Sequence, residues 1–533
     1  MQHYSQSFTI PDIRNFIPEK VKPWILLAFF FVYQLSGGVY MASVSEMKGS
    51  LALMQEDIMM AGYASLVGLA LTFTIMFRLK FRFPAKNSLI TTALGLIICN
   101  FICIHTHSIP VLVATCFVAG FFRMWGTFTC NTNIQLWITP KRDMAVWFCY
   151  ICLFVQGFIE ISGLSAIYTA YLSTWEYMHW LIIGVLLCLT LITLIIFRHY
   201  RSMPKLPLYG IDWMGMILWA VTVLCAIFVL NYGDHYDWFQ SVYIKMGTVF
   251  GLTALALNLW RASFIRHPFI NLKTWTFRNV WLTFLLYIVL DILLSPSHEF
   301  EHIYTETILG YDSLNAISLN WAVLLGIVCG SLFMYQMFAL RKWTYKTMTL
   351  IGFAVVVCYL MVMYFIIGFN LPKEMLILPI FLRGLGYIIL AITFITALTT
   401  VSFPNFFQSL TIQAFVSACL GALIGNAFLN HAFKIALKKN MMLLGANLDN
   451  VNTLSKHIPS GELFNNLQLQ AIMVSMKEIY GWLCILGIFC LMVFLLYRST
   501  LRPTALHPKF HTIRRAIKHQ LRINKLIIPN ETH

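Results

Sequence analysis

Fourteen apolar runs, each long enough to cross a lipid bilayer, follow one another along the 533 residues and leave little chain for anything else. A crossing helix takes about 20 consecutive apolar residues. On that criterion the spans fall near 23–44, 57–77, 87–105, 110–138, 144–171, 178–197 and 213–232. The remainder fall near 241–260, 279–296, 314–338, 346–369, 374–402, 409–433 and 478–497. Hydrocarbon offers the backbone no water, so each run must satisfy its own N–H and C=O groups, and a helix does this within one segment. Charge agrees, because Asp, Glu, Lys and Arg make up 11% of the residues, against about 25% in a soluble domain. A soluble globular fold is excluded.

The formal net charge of +16 comes in short basic clusters between apolar runs rather than in one stripe, which argues for topology and against nucleic-acid binding. One side collects Arg14, Lys20 and Lys22, then Arg78, Lys80, Arg82 and Lys86, then Lys141 and Arg142. The same side takes Arg198, Arg201 and Lys205, then Arg261, Arg266, Lys273 and Arg278, then Arg341, Lys342 and Lys346, and the tail from Arg498 to Lys525. The opposite side carries an acidic loop at 297–312 (Glu299, Glu301, Glu306, Asp312) and a long polar loop at 434–477, where an external partner is expected to touch. By the positive-inside rule both termini are cytoplasmic in a multi-pass cell-membrane protein. The basic tail, with Ile and Leu among its charges, reads as a strip on anionic lipid. The 13 cysteines sit in apolar runs without the paired CxxC spacings of a zinc site and read as packing residues. No metal or cofactor is expected.

Two strings then stand out: Phe121-Phe122-Arg123-Met124-Trp125-Gly126 and Phe381-Leu382-Arg383-Gly384-Leu385-Gly386, each F-x-R-x-x-G. The helix count makes each the fourth helix of a six-helix half. An arginine at the centre of a membrane helix costs roughly 2.5–3.5 kcal/mol, so it faces a partner or a wet cavity. Four charged residues lie well inside spans: Arg123, Glu160, Asp291 and Arg383. Helices four and five turn back near Lys141, which puts Arg123 and Glu160 at nearly equal depth. They are expected to pair, either as a static clamp or as a pair whose separation switches the protonation of Glu160. A second pair between Asp291 and Arg383 is possible, unless Asp291 simply reaches the outer interface. Gln34, Asn131, Asn133, Gln135, Gln156, Asn320 and Trp321 are candidates for the wall of a substrate cavity. Gly37 and Gly38 mark a close helix contact or a flexible point.

The ordered set of motifs resembles the EmrB/QacA-like fourteen-span drug:proton antiporters of the major facilitator superfamily. It comprises I-D-W-M-G-M-I-L-W-A around Asp212, Trp213 and Gly215, N-Y-G-D-H-Y-D-W-F-Q-S around Gly233 and Trp238, and H-P-F-I-N-L-K-T-W-T-F-R-N with Pro268, Leu272, Phe277, Arg278 and Asn279. The string I-L-G-Y-D-S-L-N-A at 308–316 looks like the family's approach to the tenth helix. The resemblance implies an all-α major facilitator fold with a six-helix half at 1–200, a two-helix linker at 201–265, a second half at 266–499 and a basic tail at 500–533. It also implies proton-coupled efflux of hydrophobic or amphipathic small molecules by alternating access at a midplane site. A periplasmic adaptor and an outer-membrane channel are implied partners where the cell has two membranes, the chain then lying in the inner one. The departures are specific. The family's latch loop, G-x-x-x-D-R-x-G-R-R, is here F-R-L-K-F-R-F-P-A-K, with Arg78, Lys80 and Arg82 as gating candidates but no aspartate and no glycine. The fifth-helix antiporter string is replaced by Q-G-F-I-E-I-S-G-L-S, without its proline. No G-x-x-x-x-G-K-[ST] loop is present, which argues against an ATP motor on this chain. The competing reading is a membrane-embedded enzyme or sensor, for which His298, His302 and the neighbouring acids form the one cluster.

Overall fold

The computed structural model describes residues 12–37, 47, 53–140, 143–200, 205–369, 371–446, 460–496 and 501–503. They form an all-helical protein. The first group is α1 (Lys22–Leu35), α2 (Gln55–Arg82), α3 (Ala85–His105), α4 (Ile109–Ile138), α5 (Met144–Leu172) and α6 (Glu176–Ile196). A hairpin of α7 (Trp213–Tyr232) and α8 (Val242–Phe264) follows. Next come α9 (Arg278–Leu294, continued by Pro296–His302 and a π-helical turn Ile303–Ile308) and α10 (Asn320–Met334 with a π-helical turn Tyr335–Leu340). The chain goes on through α11 (Tyr345–Ile366) and α12 (Glu374–Leu398). Last are α13 (Phe403–Ala414, a π-helical turn Phe415–Leu420, then Gly421–Ala446) and α14 (Ser460–Leu496).

Among the described residues, 12 helices are long and apolar enough to cross a membrane. The two expected spans outside that set are the first, described as the 14 residues of α1, and the ninth, where Arg278–Leu294 has 17 residues before its break. Side chains such as Met246, Phe250 and Trp260 on α8 are more than 60% exposed, as expected of helices solvated by lipid. This is a multi-pass membrane protein.

Helices α1–α6 pack on one another, with α2 on α4, α3 on both α4 and α6, and α1 on α4. Helices α9–α14 repeat much of the pattern: α10 lies on α12, α11 on α12 and α14, and α9 on α13. The groups meet along α5 with α10 and along α2 with the first half of α13. The hairpin packs on α2 and α13, at that second seam. It is tied to α2 by Asn231, whose Nδ2 donates to the Glu56 carbonyl (2.7 Å), and by the Tyr232 hydroxyl, which donates to Asp57 (2.5 Å). Its tip reaches α13 through the Asp234–Lys434 ion pair at 2.6 Å.

Glycine sets how closely the paired helices approach. A Cβ on Gly68 of α2 would lie 2.0 Å from the Phe117 carbonyl oxygen, and one on Gly120 of α4 1.8 Å from that of Ser65. The second group repeats the device: Gly326 of α10 meets the Phe381 oxygen at 2.3 Å and Gly384 of α12 meets that of Val323 at 2.5 Å. With no hydrophobic drive between helices in lipid, such backbone contact is what packing can use. Gly120→Val is therefore expected to cost about 1–3 kcal/mol or more of overpacking and to lower the melting temperature in detergent. Gly184→Val, with nothing within 4 Å, should leave it unchanged.

Several expected loops are helix. Arg78, Lys80 and Arg82 lie on the last turns of α2, so the turn to α3 is only Phe83-Pro84. The outer loop 434–477 is helix to Ala446 and again from Ser460, and 447–459 lies outside the described residues. So do Gly38, Lys141, Arg142, Arg201 and most of the basic tail. At 37 residues, α14 is roughly 55 Å long and overruns a hydrocarbon core of about 30 Å.

Candidate functional site

The 297–312 stretch, expected as an acidic loop, is largely a continuation of α9. Pro296 ends the first segment because it has no N–H to give the carbonyl of Ile292, yet at the first turn of the next segment that donor is not needed. The Ser295 hydroxyl donates to the Ile292 oxygen at 2.7 Å and the Ser297 hydroxyl to that of Leu294 at 2.7 Å, which repairs the break locally. The chain therefore carries Glu301 onward among buried Phe300 and Tyr304.

That placement creates the central charged layer. Arg383 of α12 donates through Nη1 to Glu301 Oε2, and the Tyr359 hydroxyl of α11 donates to Glu301 Oε1 at 2.8 Å. The side chains of the pair are 15% and 13% exposed. Glu160 of α5 approaches from the first group, and the charges acting on it are Arg383 and Glu301. It is half-buried. Measured from the basic ends of their helices at about 1.5 Å per residue, Arg123, Glu160, Tyr359 and Arg383 all lie roughly 21–24 Å deep. Beside them Gln156 Nε2 donates to the Tyr387 hydroxyl across the two groups (3.3 Å), and Gln413 Nε2 donates to that of Tyr287 (2.9 Å).

The expected pairings are corrected by this layer. Arg123 and Glu160 share a depth but form no ion pair; Glu160 faces the second group instead. Arg123 is 5% exposed, and its guanidinium lies over Gly37, where a Cβ would sit 1.3 Å from Nη1. Its Nε has no hydrogen-bond partner among the described residues. Gly126 leaves room for the Tyr33 ring, whose hydroxyl donates to the Leu89 carbonyl at 2.9 Å. Arg383 pairs with Glu301 and not with Asp291, because the helix continues past Pro296 and carries the second acid to it. Glu301 was missed as a site residue. The available signal was the apolar helical spacing of Phe300, Ile303 and Tyr304 through the acidic stretch.

Of the polar cavity candidates, only Gln156 joins the layer. Gln34 is buried and donates to Thr127 at 3.2 Å, tying α1 to α4. Asn131 is buried, Gln135 is half-buried with Nε2 3.8 Å from Met144 Sδ, and Asn320 is half-buried at the start of α10. Trp321 is 52% exposed and shares its outward stripe with Leu325 and Leu332, a lipid-facing position. Asn133 is at the basic end of α4, where it accepts from Lys80 Nζ at 2.8 Å. Lys80 also donates to Thr132 at 2.6 Å.

The acid absent from the α2–α3 turn arrives from the N-terminal segment. Asp12 lies beside Lys80, Asn133 and Arg198, held there by an antiparallel bridge between Ile13 and Phe197. Burial pushes its carboxyl above the ordinary range, while Lys80, Asn133 and Arg198 pull it back. Arg78 instead extends over Gly210. Burial, with Arg266 and Arg78 adding to it, holds His267 below the usual histidine range.

On this basic side the two groups are closed on each other. Asp143, the N-cap of α5, pairs with Lys342 after α10 at 2.5 Å, and Thr74 meets Thr411 at 2.7 Å. Phe77 and Phe128 pack on Phe407, and Phe148 on Phe406. The Asp143–Lys342 side chains are partly exposed, so the pair contributes at most about 1 kcal/mol. That suffices to bias a two-state equilibrium several-fold. Lys342→Glu should lower the melting temperature in detergent slightly, and the swap Asp143→Lys with Lys342→Glu should restore it.

No protein-family model matches the chain, and no curated protein matches it. Solved structures do. The peptide transporter POT, as a mutant in complex with sulfate, aligns over 95% of this chain and 100% of its own at 13% identity, with a TM-score of 0.57. An auto-inhibited POT family peptide transporter covers 91% and 99% at 13% identity and 0.55. A mutant of the nucleoside transporter NupG covers 89% and 99% at 12% identity and 0.52. The chain shares the fold of these proteins.

Proposed function

We propose that the protein is a secondary active transporter that moves a hydrophobic or amphipathic small molecule by alternating access and couples it to protons through Glu160. One observation carries this reading: a half-buried carboxyl on the first helix group faces an arginine–glutamate pair on the second. Rocking one group against the other changes the distance from Glu160 to Arg383. The protonation of Glu160 must follow, since a nearby cation favours its charged form and desolvation opposes it. The bridge from Gln156 to Tyr387 would break and re-form in the same motion. The closed basic side then corresponds to one end of the cycle, with the Asp143–Lys342 pair and the phenylalanine plug as its gate. In this reading α1 and α9 complete fourteen crossings with both termini on the basic, cytoplasmic side. Export is the direction that the fourteen-span resemblance supports.

Purified protein in proteoliposomes tests this directly. A panel of amphipathic fluorescent dyes should show flux that follows an imposed pH gradient and collapses when a protonophore removes it. Flux indifferent to the gradient would remove the coupling, and no flux across the panel would favour the enzyme or sensor reading.

A further inference from the structure

Asp291 is a half-buried ionisable group, with its Oδ2 shut away from solvent, that the mechanism above does not use. It does not join the Arg383–Glu301 pair. Its Oδ2 is buried with no hydrogen-bond partner among the described residues. No lysine, arginine or histidine among the described residues acts on it. The titratable groups within reach are Tyr287 on its own helix and Tyr387 on α12; Glu160 and Cys152 of α5 act on Tyr387, not on Asp291 itself. From α13 the neighbours are Gln413, bonded to Tyr287, and the glycines Gly421 and Gly425.

Those glycines define the geometry. A Cβ on Gly421 would lie 1.7 Å from Asp291 Oδ2 and 2.9 Å from the Val416 carbonyl oxygen. One on Gly425 would lie 2.8 Å from the Asp291 carbonyl oxygen and 3.0 Å from Ser295 Cβ. Gly421 directly follows the π-helical turn Phe415–Leu420, and π turns cluster where helices rearrange at functional sites. So the backbone of α13 is laid on α9 over a carboxyl oxygen, Oδ2, that has no donor among the described residues, and no described cation acts on the group. A carboxylate there would hold charge on an unsolvated, uncompensated oxygen, which a protein avoids by neutralising the group.

We propose that Asp291 is a second proton-binding site, distinct from Glu160, occupied while α13 is packed on α9 and emptied when α13 lifts away. The proton leaves to water entering between the helices, and no other bond changes. The same α13 forms the basic-side seam through Thr411, so the contact that retains this proton is mechanically joined to the gate. The transport consequence rests on the transporter reading; the protonation claim does not.

Infrared difference spectroscopy of the reconstituted protein across a pH titration reads the claim without any substrate. A carboxylic C=O band, shifted in heavy water, should be present in wild type and in Glu160→Gln, and absent in Asp291→Asn. Gly421→Ala, which crowds α13 off Asp291, should make the band titrate away at lower pH. Asp291→Asn is close to isosteric with the neutral acid and should fold, as size-exclusion profiles will show. Loss of no band in Asp291→Asn, or no protonated carboxyl in wild type, overturns the proposal whatever the flux. In dye flux, Asp291→Asn should flatten the pH dependence. If Glu160→Gln removes coupling and Asp291→Asn leaves the pH profile unaltered, the transporter reading stands and this inference falls.

Discussion

Glu160→Gln is expected to abolish dye flux driven by a pH gradient while leaving gradient-independent exchange and the amount of folded protein in the membrane largely intact. Glutamine keeps the size of the side chain and its capacity to accept from a donor, so the packing around it should be kept. What it removes is the exchangeable proton and the negative charge that Arg383 and Glu301 act on. The loss should also leave the Arg383–Glu301 ion pair without the second negative charge that acts on Arg383. Glu160→Asp is the informative companion: the charge survives on a shorter stem, and coupling should persist with an altered pH profile. Retention of full coupling in Glu160→Gln, with variant and wild type reconstituted at equal density, would show that the proton travels elsewhere.

How much of this was legible in the chain can be argued from particular residues. Hydrophobic run length found the helices, because a bilayer enforces one segment length on the sequence. It found Arg123, Glu160, Asp291 and Arg383 as costly intramembrane charges for the same reason. Partners were a different matter. Equal depth of Arg123 and Glu160 followed from counting residues, but the direction in which each side chain points depends on helix rotation, which the packing of Gly37 under Arg123 decides. Glu301 was hidden because Ser295-Pro296 has the local chemistry of a stop, and two serine hydroxyls turn that stop into a kink. The missing latch acid was likewise beyond local reading, since Asp12 reaches Lys80 from 68 positions away in sequence (80 − 12). The glycines were visible as composition and became meaningful only as contacts, with Gly120 against Ser65 and Gly384 against Val323.

Arg383→Met should be the most destabilising single change in the central layer. Among the described residues it removes the one cation acting on these two acids, leaving Glu301 with the Tyr359 hydroxyl as its remaining donor and Glu160 with a like-charged neighbour. Breaking a buried pair from one side costs about 3–5 kcal/mol, because the survivor is left uncompensated, whereas replacing both members is often nearly neutral. Arg383→Met should therefore yield little monodisperse protein in detergent, and Arg383→Met with Glu301→Gln should recover most of the melting temperature. The double variant should not regain gradient-driven flux, since Glu160 then faces no charge that changes with the motion of the two groups. Arg383→Lys separates charge from geometry: an ammonium supplies the same sign without the planar fork of a guanidinium, so folding should survive and the pH dependence of flux should shift. A single Arg383→Met variant as stable as wild type would mean that the layer is solvated in the resting protein, and that water carries the balance assigned here to the arginine.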